Sequence, residues 1–223
     1  MVRRFRARVG DVPGYVCPHP SRRRYRCHAW PAYLIAHRIW DSHPPPLLRS
    51  GATIGDSVYI TGTLGDAALG LDILQARLSF ADTAQLITRY YYPEPRITIG
   101  QRLHGIATSC MDISDGLLQD AAHIARASNV ALLLDAAALP LSDAAQRALD
   151  ATPSLLRRIV SGGDDYELLF TASASQHGAI AAIASSTGIR ITPIGTVEAG
   201  SGVSLRDAEG KAMALRDLGY THF

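Results

Sequence analysis

Lysine is almost missing from this sequence, which has a single lysine, Lys211, beside 21 arginines. A P-loop of the form G-x4-G-K-[ST] needs a lysine directly after its second glycine, and no such segment occurs. The scarce cysteines (Cys17, Cys27 and Cys110) have unrelated spacings, unlike a disulfide framework. No apolar run approaches the roughly 18 residues of a membrane span, and residues 1–30 lack the apolar core of a secretory signal. These absences favour a soluble, cytoplasmic protein with reduced thiols.

Positive charge is concentrated at the start of the chain, although the net charge is only +2. Residues 1–50 contain ten arginines and two acidic residues, whereas residues 51–223 contain twelve basic and eighteen acidic residues. The first 50 residues also contain seven of the twelve prolines and both tryptophans. Because 47% of the 223 residues are hydrophobic, the chain can form a packed core. We predict a basic segment, 1–46, followed by a folded domain, 47–223.

Three interpretations of the basic segment are open. Its arginine clusters are typical of an arm that binds nucleic acid. A zinc site is possible in composition, but its residues do not have the usual ligand spacings. Those residues are Cys17, His19, Cys27 and His28. The third interpretation, which we favour, is that the segment is disordered or a frame-shift artefact, because GC-rich DNA read out of frame yields this excess of Arg, Pro, His, Cys and Trp.

The first acidic motif is D-I-S-D-G-L, which joins an apolar approach to a helical pattern. Asp112, Ser114 and Asp115 supply two carboxylates and a hydroxyl within four residues. Such side chains commonly cap the free N–H groups of a helix start. The same oxygens are also suited to a divalent metal beside a phosphate group. Both interpretations, helix cap and metal–phosphate site, are open from these residues alone.

The second acidic motif is G-G-D-D-Y-E, directly before an apolar strand pattern. Repulsion among Asp164, Asp165 and Glu167 requires a cation, a group of backbone donors, or full solvation. The sequence does not decide among these three.

The pattern between the motifs alternates strands with helices, which predicts an α/β fold with a mixed sheet covered by helices. Predicted strands are 57–61, 103–111, 130–135, the segment after Glu167, and 189–197, with a hairpin over 203–215. Predicted helices run from a glycine-rich turn at 62–66 to residue 76, over 81–92, from 117 to about 128, after an N-cap at Ser142, and over 175–187. The glycine-rich turn has two interpretations, an ordinary strand-to-helix turn or a phosphate cradle.

Residues 47–223 resemble the C-terminal part of the thiamine-monophosphate kinase family. This family belongs to the ATP-binding superfamily that includes aminoimidazole ribonucleotide synthetase and selenophosphate synthetase. The motifs that carry the resemblance are R-S-G-A-T-I-G-D, V-Y-I-T-G-T-L-G-D-A-A-L-G-L, P-E-P-R, M-D-I-S-D-G-L-L-Q-D, A-L-P-L-S, G-G-D-D-Y-E-L-L-F-T and G-Y-T-H-F. The order of D-I-S-D-G-L and G-G-[DE]-D-Y-E-L is specific to the family.

The resemblance implies transfer of the γ-phosphoryl group of ATP to thiamine monophosphate, with Mg²⁺ and a homodimeric enzyme. Asp112 and Asp115 match magnesium ligands, and Ser114 matches a residue that contacts ATP. Asp164 stands where the family usually has a glutamate that contacts the substrate, and Tyr220 matches an aromatic substrate contact. No catalytic nucleophile is implied, since phosphoryl transfer depends on positioning and charge neutralisation.

Residues 1–46 do not contain the acidic and T-T-R-G-type signatures of the family's N-terminal domain. We therefore expect the 223-residue chain alone to have little or no kinase activity. Two alternatives from other classes are a non-catalytic module that binds phosphate or Mg²⁺, and a nucleic-acid-binding protein that uses its basic arm.

Overall fold

A mixed β-sheet forms the centre of the domain. In the computed structural model the described residues are 45–80 and 83–213, all of them within one compact unit. The predicted basic arm and its zinc alternative lie outside these residues, as does Tyr220. The strands are β1 (Ser57–Thr61), β2 (Ser109–Asp112), β3 (Ala131–Asp135), β4 (Leu168–Ala172), β5 (Ile191–Glu198) and β6 (Gly202–Arg206). Their order in the sheet is β2-β4-β1-β5-β3-β6, and all neighbours are antiparallel except β3 and β6.

Helices cover both faces of this sheet. They are α1 (Asp66–Leu74), α2 (Ala84–Tyr91), α3 (Ile97–Arg102), α4 (Leu117–Ser128), α5 (Asp143–Ala151), α6 (Leu155–Ser161) and α7 (His177–Thr187). Val58 and Ile60 face the larger core, which contains residues of α1, α2, α4, α5 and α6. Tyr59 points to the opposite face and stacks on Phe170 at 5.1 Å, in a core with residues of α3 and α7. The predicted fold class is therefore confirmed. Within the described ranges, no helix has the length and apolar character needed to cross a membrane.

The predicted strand from 103 to 111 is wrong in its first half. Helix α3 ends at Arg102, and the strand begins only at Ser109. Ile99 and Leu103 are both buried in the smaller core. Their spacing of four residues places both on one face of a helical turn, and burial of this face favours a helical turn over a strand here.

Other element boundaries differ by a few residues from prediction, and two helices, α3 and α6, were not among the predicted elements. Helix α1 ends at Leu74, and Ala76 has a left-handed φ of 55°. Helix α6 was not predicted, because its short apolar run follows a proline and has no clear helical period. The predicted C-terminal hairpin is present as far as Met213, whose backbone N–H donates to Leu205.

Ser142 caps helix α5, as predicted, and also binds helix α1. Its hydroxyl accepts the N–H of Ala145 at 3.1 Å and donates to Asp66 Oδ1 at 2.6 Å. Ser142→Ala is expected to lower the free energy of unfolding by about 2 kcal/mol, with about half from the lost cap and half from the buried hydrogen bond. Urea denaturation followed by circular dichroism measures the loss. Ser142→Thr retains both hydrogen bonds and should lose less than half as much. Equal stability of the two variants contradicts this account.

Candidate active site

The two acidic motifs lie side by side because β2 and β4 are antiparallel neighbours. Asp112, the last residue of β2, pairs with Leu168, the first residue of β4. Three backbone hydrogen bonds extend this pairing beyond the strands: Ile113 N to Glu167 O at 2.8 Å, Tyr166 N to Ile113 O at 2.8 Å, and Asp164 N to Ser114 O at 3.0 Å. Residues 112–116 and 162–167 therefore form one unit, which we call the paired turns.

Two glycines allow this close approach of backbone to backbone. A Cβ atom at Gly163 would lie 2.1 Å from the carbonyl oxygen of Ser114. A Cβ atom at Gly116, where φ is +113°, would lie 2.7 Å from the carbonyl oxygen of Ser161. Any larger residue at either position would force the paired turns apart.

The helix-cap interpretation of Asp112, Ser114 and Asp115 is wrong. The N-cap position of α4 is Gly116, and no side chain caps this helix. The buried carboxylate of Asp120 binds the turn instead, and its Oδ2 accepts the N–H groups of Ser114 at 3.0 Å and Asp115 at 3.1 Å. Asp112 is exposed, and Ser114 and Asp115 are half-buried.

Negative charge accumulates around Asp120. Burial raises the pKa of Asp120, and the nearby charges of Asp115 and Asp112 raise it further, while its two backbone hydrogen bonds act in the opposite direction. A cation at Asp112 and Asp115 would relieve this repulsion. No local sequence pattern indicates the role of Asp120, beyond its place in the Q-D that ends the motif.

Asp164 and Tyr166 face the first motif from the second one. Both have left-handed φ values, 69° and 52°, which are uncommon for residues with a side chain. The Tyr166 hydroxyl donates to Asp164 Oδ1 at 3.3 Å, and Tyr166 as a whole is 38% exposed. The charge of Asp164 raises the pKa of Tyr166, as do burial and the hydrogen bond, and Asp112 and Asp115 contribute. The structure thus brings Asp112, Asp115 and Asp164 close to one aromatic ring.

The three acids of the second motif avoid mutual repulsion in three different ways. Asp164 is exposed to solvent. Asp165 is buried and accepts backbone N–H groups of Gly65 at 2.8 Å and Ala67 at 3.4 Å. Glu167 is buried against two arginines. Each of the alternatives considered from the sequence therefore occurs, at a different residue.

The glycine-rich turn before α1 is an ordinary strand-to-helix turn and not a phosphate cradle. Gly65 is the N-cap of α1 with a φ of 79°, and its N–H already donates to Asp165. Because this carboxylate occupies the helix start, no N–H group at Gly65 is available for a phosphate group.

Asp165 gives the domain a pH-dependent stability. Burial raises the pKa of Asp165 from 3.8 to about 8, aided by the charges of Asp66 and Glu167 and opposed by the two N–H donors. Between pH 4 and 8 the folded state holds a proton that the unfolded state has released, so stability falls as pH rises through this range. We expect a fall of up to about 1.4 kcal/mol per pH unit. Denaturation of wild type and Asp165→Asn from pH 5 to 9 measures it, and equal slopes for the two proteins contradict it.

A groove of about 530 Å³ opens beside Asp112. Its lining includes Arg49, Ser50 and Cys110. Arg49 belongs to the R-S-G-A-T-I-G-D motif, but the sequence alone gave it no role. The guanidinium group of Arg49, which lines the same groove as Asp112, is suited to bind the oxygens of a phosphate group. The Cys110 thiol is not reactive here, because burial raises its pKa to about 12.

The paired turns offer ligand atoms of the type that Mg²⁺ prefers, but fewer of them than its full coordination requires. The carboxylate oxygens of Asp112 and Asp115 are hard ligands, and Mg²⁺ commonly binds one or two carboxylates together with waters and substrate phosphates. Among residues 45–80 and 83–213, no group of three or more His, Cys, Asp or Glu side chains could hold a metal ion.

The chain is similar to thiamine-monophosphate kinases. Residues 53–208 match the family model described as AIR synthase related protein, C-terminal domain. Thiamine-monophosphate kinase of Escherichia coli K12 is 43% identical over 180 residues, which is 79% of this chain and 55% of that protein. The Caulobacter vibrioides enzyme of the same name is 37% identical, over 82% of this chain and 52% of that protein. The chain thus spans about half the length of these curated relatives.

Solved structures give the same result. Thiamine-monophosphate kinase from Stenotrophomonas maltophilia aligns with a TM-score of 0.68 at 40% identity, over 75% of this chain and 54% of that chain. AaThiL complexed with AMPPCP and TMP aligns with a TM-score of 0.66 at 33% identity, over 79% of this chain and 54% of that chain. E. coli HypE, a hydrogenase maturation protein, shares the fold at 19% identity with a TM-score of 0.63. The chain belongs to the AIR synthase related family through this C-terminal domain, and it corresponds to the C-terminal part of thiamine-monophosphate kinases.

Proposed function

We propose that this domain supplies part of the active site for ATP-dependent phosphorylation of thiamine monophosphate to thiamine diphosphate. The observation that carries the proposal is the pairing of the two acidic turns, which gathers Asp112, Asp115 and Asp164 beside Tyr166. The names of the relatives support the reaction and both substrates.

In this proposal Asp112 and Asp115 hold Mg²⁺, which neutralises the phosphate oxygens during transfer. Ser114 contacts ATP from between them. The rigid backbone of the paired turns holds these side chains before substrate binds, so little ordering is needed at the moment of reaction. The groove beside Asp112, with Arg49 in its lining, is the place we propose for the nucleotide phosphates.

Asp164 is the proposed contact for thiamine monophosphate, and its exposed carboxylate is suited to the positively charged thiazolium ring. Tyr220 is proposed as a second, aromatic contact, from the part of the chain outside the described residues.

Because ATP is the co-substrate, we propose a cytoplasmic location. A homodimer is proposed on the family resemblance alone, and nucleic acid is not a proposed partner.

Activity measurements on two proteins test the proposal. We expect the 223-residue chain alone to phosphorylate thiamine monophosphate weakly or not at all, since it spans only about half the length of the kinases that it resembles. We expect a chimera to be active, in which residues 47–223 replace the matching part of the E. coli kinase. An inactive, folded chimera contradicts the proposal and favours a non-catalytic binding module. Rapid turnover by the chain alone contradicts the expected need for additional ligands.

A further inference from the structure

Glu167 is the most completely enclosed charged group of the second acidic turn, with no exposed surface. Its Oε2 accepts hydrogen bonds from Thr61 Oγ1 at 2.7 Å and from Arg96 Nε at 2.7 Å. Its Oε1 accepts from Arg96 Nη2 at 2.6 Å and from Arg89 Nη2 at 2.8 Å. Arg96 thus holds the carboxylate with two parallel hydrogen bonds, the geometry that favours arginine over lysine.

The two arginines come from a different part of the chain. Arg89 lies in the last turn of α2, and Arg96 ends the P-E-P-R segment at the start of α3, 71 positions before Glu167. Their side chains are only 16% and 9% exposed. Glu94, which is 67% exposed, contacts both arginines from the solvent side. The hydrogen bond to Glu167 raises the pKa of Arg96, so its positive charge is permanent.

The carboxylate of Glu167 is linked directly to the paired turns. The backbone oxygen of Glu167 accepts the N–H of Ile113, at the centre of D-I-S-D. Thr61, which donates to the carboxylate, also accepts the N–H of Leu168 at 2.8 Å. Gly62 leaves room for this arrangement, since a Cβ atom there would lie 2.1 Å from Glu167 Oε1. Movement of the carboxylate would therefore move both acidic turns.

We propose that Arg96 and Glu167 are positioning residues, which hold Asp164 in register with Asp112 and Asp115 and thereby set the affinity for the magnesium–nucleotide complex. This inference rests on the proposed function of the paired turns. A purely stabilising role is a poorer explanation. Burying an ion pair has a desolvation cost, and apolar residues of similar volume often stabilise a fold as well or better. The ion pair fixes the geometry of the turn through directional hydrogen bonds, which an apolar pair would not do.

The test uses the full 223-residue chain with Arg96→Ala and Arg96→Lys. Arg102→Ala is the matched control, because Arg102 lies on the same helix and binds Ser186 away from the paired turns. Hydrogen exchange is followed at the amides of Ile113, Asp164 and Tyr166, which donate across the paired turns. Calorimetry measures the affinity for Mg²⁺ with AMPPCP.

For Arg96→Ala we expect at least about tenfold faster exchange at these three amides and about tenfold weaker binding, the effect of removing a supporting group behind a metal ligand. Arg96→Lys should recover part of both losses, and Arg102→Ala should show neither.

Equal acceleration at the amides of α7 would mean global destabilisation and overturn the inference. Unchanged affinity in Arg96→Ala would also overturn it. If the wild-type chain alone binds no nucleotide, the affinities are compared in the chimera, where unchanged affinity in Arg96→Ala overturns the inference. Local acceleration in Arg96→Ala then still supports the positioning of the turns.

Discussion

Asp112→Asn is expected to weaken the binding of Mg²⁺ with AMPPCP by at least about 100-fold, measured by calorimetry on the 223-residue chain and on the chimera. Groups that only support a metal ligand contribute about 10- to 100-fold to affinity, so a direct ligand should contribute more. The side chain of Asp112 is exposed at the end of β2. Asparagine retains its volume, and we expect the free energy of unfolding to remain within about 0.5 kcal/mol.

The control for this variant is Asp143→Asn, which removes an exposed carboxylate from the first turn of α5. It changes the net charge equally but lies outside the paired turns, so nucleotide affinity should not change. Asp115→Asn should behave like Asp112→Asn. If the two site variants bind as tightly as wild type while wild type binds normally, these carboxylates are not the metal ligands.

Gly163→Ala is expected to separate the paired turns and to destabilise the domain by about 3 kcal/mol, at the upper end for overpacking. The new Cβ atom would lie 2.1 Å from the carbonyl oxygen of Ser114 and 3.2 Å from Cα of Asp115. Both neighbours are backbone atoms, which cannot rotate away as a flexible side chain can. Urea denaturation measures the stability, and calorimetry measures a loss of nucleotide affinity of at least about tenfold in the folded protein.

Gly195→Ala provides a matched clash outside the site. Its Cβ atom would lie 2.0 Å from the carbonyl oxygen of Leu133, between β5 and β3. We expect a similar loss of stability with unchanged nucleotide affinity. If Gly163→Ala loses stability and still binds as wild type does, the register of the two turns does not control the site. An equal loss of affinity in Gly195→Ala leads to the same conclusion.

The elements that could be predicted are those whose signal is local. The β1 strand follows from a short run of β-branched and aromatic residues, Val58, Tyr59 and Ile60, directly after a turn at Gly55-Asp56. Ser142 was predicted as an N-cap because a hydroxyl directly before a helical period has few other uses. The predicted strand over 103–111 is wrong in its first half because apolar residues in a short run do not distinguish a strand from one turn of helix.

The residues of the candidate site could be predicted from the sequence, but the contacts that each of them makes could not. The D-D-Y-E segment places three acids within four positions, but tertiary contacts give each a different environment. The pairing of Glu167 with Arg96 spans 71 positions, and no local pattern indicates it. Asp120 was overlooked for a related reason, since a carboxylate in the first turn of α4 is expected to interact with its own helix and instead binds the preceding turn.

In the proposed function, the two acidic turns together form one site for a metal–phosphate complex. The most direct measurement replaces Mg²⁺ by paramagnetic Mn²⁺ in the presence of AMPPCP and follows the amide signals of the chain by nuclear magnetic resonance. We predict that the signals of residues 112–116 and 163–166 broaden together, at less than one equivalent of Mn²⁺, while those of α7 remain sharp. Broadening confined to one of the turns, or spread over acidic residues elsewhere in the domain, would contradict the claim.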